Sequence, residues 1–133
     1  NTGVIIPAMI DAMTLDKDAG VRRFAAQALG WKGAEAQIAI PALKEAIQKD
    51  KDGEVRMLAI DAVRAISGDT SALVPILLAA LKDRDSAVRL TAENHLTDMG
   101  KPIASLLQAA LKSEKDGQTI QAIQRILKQI GAN

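Results

Sequence analysis

Three stretches of the chain repeat one another: Asp18-Ala19-Gly20-Val21-Arg22, Asp52-Gly53-Glu54-Val55-Arg56 and Asp85-Ser86-Ala87-Val88-Arg89. Their aspartates stand 34 and then 33 residues apart, and a weaker copy, Asp116-Gly117-Gln118-Thr119-Ile120, follows 31 residues later. Internal repetition at this period is the signature of stacked supersecondary units. After each start comes an apolar rhythm with spacings of three and four: Val21, Ala25, Ala28, Leu29; Val55, Ala59, Ala62, Val63; Val88, Ala92, Leu96, Met99; and Ile123, Ile126, Leu127, Ile130. Such spacing marks one face of a helix.

Working outward, a second helix precedes each of these. It begins Ile6-Pro7-Ala8-Met9, Ile40-Pro41-Ala42-Leu43, Val74-Pro75-Ile76-Leu77 and, with Ser in place of Pro, Ala104-Ser105-Leu106-Leu107. A proline in a first turn costs little, because the N–H it lacks would have no intrahelical acceptor. Gly30 and Gly33, Ser67-Gly68-Asp69, Gly100-Lys101-Pro102 and Gly131 punctuate the helices. The layout is eight helices, near 3–14, 18–31, 36–49, 52–67, 71–82, 85–99, 102–113 and 116–131, with no period-two alternation.

This pattern, Asp-x-x-Val-Arg-x-x-Ala-x-x-x-Leu followed by Gly and Ile-Pro-x-Leu, resembles the HEAT repeat, particularly its short bacterial form found in phycobilisome-lyase-like proteins. The resemblance covers nearly the whole chain and implies an all-α superhelix, a right-handed solenoid of about four helical hairpins. The repeats are expected at 3–33, 34–68, 69–100 and 101–131, forming one domain. Asp18, Asp52 and Asp85 are placed to cap the second helix of each hairpin. Asp16, Asp50 and Asp83 lie six residues before Arg22, Arg56 and Arg89, and the resemblance implies that such residues form a ladder between neighbouring repeats.

Composition bounds the function. The chain has 133 residues, a net charge near +1, no cysteine, one Phe, one Trp and no Tyr. No cysteine means no disulfide, thiolate metal site or Cys nucleophile, but it does not choose a compartment. No apolar run is long enough to span a bilayer, which suits a soluble protein, the cytoplasm only slightly favoured and the compartment left open. Neither a basic stripe nor stacking rings are present for nucleic acid. His95, the only histidine, stands where Ala28 and Ala62 stand in other repeats and has no carboxylate cluster to complete a metal site. The sequence therefore carries no catalytic, cofactor or metal residues, and the reading is non-enzymatic.

The resemblance places the second helices on the concave surface. Register then assigns Arg23, Gln27 and Trp31; Met57, Asp61 and Arg64; Leu90, Asn94 and Thr97; and Gln121, Arg125 and Lys128 to that ridge. Trp31 falls away from the Val-Ala-Leu stripe while Lys32 takes the usual apolar place; a small helix rotation would exchange them. Apolar anchors at Trp31, Met57 and Leu90 among mixed charges suit a protein or peptide partner. An alternative is a structural segment supporting a catalytic domain elsewhere in a longer protein. Asn1-Thr2-Gly3 is neither an initiator Met nor a signal peptide, and the chain reads as a piece of something longer or a processed protein. The first helix, apolar all round, asks for a cover, either an upstream repeat or self-association through Ile10 and Leu78. The Gln-rich last helix reads as a terminal, solvent-facing one.

Overall fold

In the computed structural model, residues 2–68 and 71–132 are described. Among them are eight α-helices: α1 (Thr2–Leu15), α2 (Ala19–Lys32), α3 (Ile40–Lys49), α4 (Gly53–Ile66), α5 (Val74–Ala80), α6 (Ser86–Met99), α7 (Ala104–Ser113) and α8 (Gly117–Gln129). No strand occurs among the described residues. The fold class is all-α, as expected. The chain divides into two compact units, Asn1–Asp69 and Thr70–Asn133. In the first, α1 packs on α2, α3 on α4 and α2 on α4; in the second, α5 packs on α6, α7 on α8 and α6 on α8.

Each hairpin turn repeats one hydrogen-bonded device. The Asp18, Asp52, Asp85 and Asp116 carboxylates accept from the N–H groups of Gly20, Val55, Ala87 and Thr119 at 2.7, 3.0, 2.9 and 3.0 Å. Each satisfies a donor that the helix start leaves without a partner. Two residues earlier, the carboxylates of Asp16, Asp50, Asp83 and Glu114 accept from the N–H of the capping aspartate. Arginines then tie the turn from within: Arg22, Arg56 and Arg89 donate to the carbonyls of Asp16, Asp50 and Asp83 at 3.0, 2.8 and 2.8 Å. The six-residue Asp-to-Arg spacing thus closes on the backbone of its own turn, while the Asp50 carboxylate also receives Arg22 of the preceding repeat.

The first helices begin later than the apolar pattern suggests. Residues Gly33–Ala39, Ser71–Leu73 and Lys101–Ile103 are 3-10 turns, and α3, α5 and α7 start only after them. Pro41 and Pro75 sit at the first positions of α3 and α5. A proline ring crowds the carbonyl four residues back, which disfavours a helix that continues upstream of it; Ala36, at φ −96° and ψ 22°, marks the break before α3. Pro7 differs and lies inside α1.

The core is aliphatic. Ile6, Met13, Leu29, Leu43, Val55, Leu96, Leu107 and Ile123 are fully buried, and Ala25, Ala59 and Ala92 sit between them as the close-approach residues. Gly30 does not end its helix as the punctuation suggested. It lies within α2, and a Cβ there would stand 3.1 Å from the Ala62 Cα. Its missing side chain sets how closely α2 and α4 approach. Ile10 and Leu78, expected to present an apolar outer face for self-association, are half-buried. They turn toward the inward stripes, in which Ile6 and Met13, and Val74, Leu77 and Leu81, are buried. Val21 departs in the opposite sense: it is 40% exposed where Val55 and Val88 are 0%.

Candidate protein-binding surface

The open face of α2 carries both aromatic side chains of the protein. Phe24 and Trp31 are seven residues apart, two helical turns, and so share a face. Their rings meet edge to face with centroids 6.1 Å apart and an interplanar angle of 87°. Phe24 is 62% and Trp31 69% exposed. Rings normally supply the largest share of core burial per residue; here the core is built without them and both stand in water. Trp31 borders a groove of about 220 Å³ between α2 and α4, with Gln27, Leu58 and Asp61 on its walls and Gly30, Ala62 and Ala65 along its floor. The small residues that let α2 and α4 close together also leave this cleft shallow and apolar.

The sequence-derived ridge separates into residues that meet and residues committed elsewhere. In the first unit Gln27, Trp31 and Asp61 converge on the groove. Arg23 does not present a free charge. Its Nε and a terminal nitrogen donate to Asp52 at 2.9 and 3.1 Å, and Glu54 lies 3.0 Å away. That guanidinium, together with the Val55 N–H, holds the Asp52 carboxyl below its ordinary range. Met57 and Arg64 are half-buried, so neither is a fully exposed anchor. In the second unit Leu90 is 58% exposed and Asn94 is exposed. Thr97 donates its hydroxyl to the Glu93 carbonyl. Arg125 donates to both carboxylate oxygens of Glu93 at 3.0 and 2.8 Å and, with Gln121 and Lys128, lines a shallow depression of about 320 Å³. Lys32 is half-buried while Trp31 is exposed, which settles the rotation between them. Phe24 and Leu58 were not on the ridge read from sequence; the i, i+7 relation of Phe24 to Trp31 was the signal for the first.

Another depression, of about 720 Å³, lies where α1 and α3 end, with Met13, Ala42 and Ala46 among its apolar lining. On its polar rim Arg22 pairs with Asp50 at 3.0 Å and Lys49 with Glu45 at 3.6 Å, beside Asp16, Lys17 and Lys51. His95 is half-buried on α6. Among the described residues no group of three or more His, Asp or Glu side chains is poised to hold a metal, and no helix is long and apolar enough to cross a membrane.

The family model for HEAT repeats matches residues 4–64 and 41–128. The chain belongs to the HEAT-repeat family. No curated protein matches it. HEAT repeats build α–α solenoids, commonly mediate protein–protein interaction and are generally non-catalytic. In this HEAT chain the hairpin turns carry the repeat signature, and the exposed rings on α2 lie outside it.

Proposed function

We propose that this protein is a non-enzymatic binding module whose HEAT repeats hold a protein segment against the α2–α4 face, with Trp31 as the central anchor. The observation that carries the reading is the exposed Phe24–Trp31 pair beside an apolar groove. Interfaces concentrate their energy in a few aromatic or arginine anchors set beside pockets. A rigid helix presents these rings with little rotamer freedom to lose on binding. The groove accepts one apolar side chain of the partner against Leu58 and Ala62, and Gln27 offers an amide at its edge for a backbone hydrogen bond.

The test selects peptides from a displayed library against the full chain and measures each on wild type and Trp31→Ala. Trp31 is the only tryptophan and there is no tyrosine, so its emission reports the site directly and should shift to the blue on binding. Truncating a central anchor weakens binding by roughly 30-fold or more. The thermal transition stays unchanged, because the side chain is exposed. Selected peptides that bind Trp31→Ala as tightly as wild type would refute the assignment.

A further inference from the structure

The α2–α4 face beside Trp31 is acidic, in a chain whose net charge is close to balance at +1. Glu54, Leu58 and Asp61 follow one another on α4 at spacings of four and three residues, so they form one stripe. Leu58 and Asp61 line the groove beside Trp31, and Glu54 lies one turn before them. At that end of the stripe one guanidinium serves two carboxylates: Arg23 Nε stands 2.9 Å from Asp52 and 3.0 Å from Glu54. One negative charge is left over, and it sits at the surface, since the Glu54 side chain is 57% exposed against 22% for Asp52. At the other end Asp61 is exposed and is the one charged side chain among those lining the groove. Arg64, three residues on, is half-buried. The repeat signature does not need these two carboxylates. The capping aspartate recurs in all four hairpins, but Glu54 is matched by Gly20, Ala87 and Gln118, and Asp61 by Gln27, Asn94 and Arg125. Only the second repeat carries an acid at both places.

We propose that the partner segment held on this face is basic: it presents two cationic side chains about 10 Å apart with one apolar side chain between them. The spacing is that of Glu54 and Asp61, seven residues along a helix that rises about 1.5 Å per residue. The inference rests on the Trp31 groove being the binding site and names the chemistry of what binds there. The apolar side chain covers Leu58 and Ala62. The cation beside Asp61 lies between that carboxylate and the indole, where ion pairing adds to the attraction of the ring face. Arginine suits this place better than lysine, because its plane stacks on the ring while its fork donates to the carboxylate. The second cation meets Glu54. A neutral or acidic segment is disfavoured, because covering Glu54 and Asp61 strips water from two carboxylates and supplies no new counter-charge.

The probes are three peptides of one design, an alanine-rich helix with a central leucine flanked, at the seven-residue spacing, by two arginines, two glutamines or two glutamates. Binding to the full chain is measured by calorimetry. The arginine peptide should bind roughly tenfold more tightly than the glutamine peptide, and the glutamate peptide most weakly. Glu54→Gln and Asp61→Asn should each weaken the arginine peptide roughly fivefold and leave the glutamine peptide unchanged, whereas a merely structural loss would weaken both alike. Asp61→Lys should turn the preference toward the glutamate peptide. If the three peptides bind alike and Trp31→Ala weakens all of them, the basic assignment is overturned and the Trp31 groove stands. If Trp31→Ala leaves the arginine peptide as tight as before, both readings fall. Failure of the arginine peptide to bind overturns the proposal too. So does a dimer of the chain that this peptide disperses, because the occupant would then be a second copy.

Discussion

Replacing Arg22 by alanine should be among the most damaging single changes in this protein. The guanidinium makes four hydrogen bonds: two to the Asp50 carboxylate, one to the Asp16 carbonyl and one to the Lys17 carbonyl, at 3.0 to 3.2 Å. The side chains of Arg22 and Asp50 are only 7% and 10% exposed. Alanine strands a buried carboxylate without its counter-charge, a change that costs roughly 3–5 kcal/mol. That is about a fifth or more of the roughly 5–15 kcal/mol that holds a domain folded, and it lowers the Tm by about 10 °C or more at this chain length. Arg22→Lys should recover part of the loss, since an ammonium restores the charge but not the planar fork. Arg22→Met combined with Asp50→Asn should also lie above Arg22→Ala, because it removes the unpaired charge while the amide oxygen still accepts from the Asp52 N–H. Guanidinium denaturation followed by far-UV circular dichroism measures all four proteins. A loss below about 1 kcal/mol for Arg22→Ala would reduce the pair to an ordinary surface contact and refute the ladder as an inter-repeat tie.

Three further outcomes follow from the turns. Asp85→Ala should cost about 1 kcal/mol while Asp85→Asn is nearly neutral, since the amide oxygen can still accept from Ala87; equal losses would assign the effect to charge rather than capping. Gly100→Ala should destabilise by roughly 1–3 kcal/mol, because φ 71° with ψ −155° lies in a region that residues with a Cβ avoid; an unchanged denaturation midpoint would contradict that strain. Acidification should weaken the fold. Asp52 is held below 3.8 by Arg23, Glu114 below 4.5 by Lys82, and Asp116 below 3.8 by the Thr119 hydroxyl and N–H. The folded state binds these protons less readily than the unfolded chain, so their stabilisation is complete above those values and is lost as pH falls through the lower folded ones. Denaturation midpoints that stay flat from neutral pH to roughly pH 3 would contradict it.

Much of the fold was legible because each local signal agreed with the others. The aspartate that starts each Asp-x-x-Val-Arg stretch was recognisable as a cap, and all four caps form. The apolar stripes named the buried residues, with Val21 the instructive exception: its periodicity matches Val55, but a stripe records only which way a residue points. Whether anything covers it depends on the neighbouring helix. The late start of α3 was also encoded, in Pro41, but the apolar pattern continued through the 3-10 segment and hid it.

The site was less legible. Register placed Trp31 on the open face, and it placed Arg23 and Arg125 there equally, since a helical wheel treats every outward position alike. Only packing distinguished them. Arg23 is drawn into the Asp52 and Glu54 carboxylates of the next repeat and Arg125 into Glu93, 32 residues away, whereas the two rings stay mostly exposed.

The sequence by itself determined the helical hairpins, their caps and their period, because those depend on contacts within a few residues of the chain. The close approach of α2 to α4 across Gly30, the pairing of Arg22 with Asp50, and the exposure of Phe24 and Trp31 were decided by tertiary structure. Each depends on distances between segments about 30 residues apart, and no local pattern records such a distance.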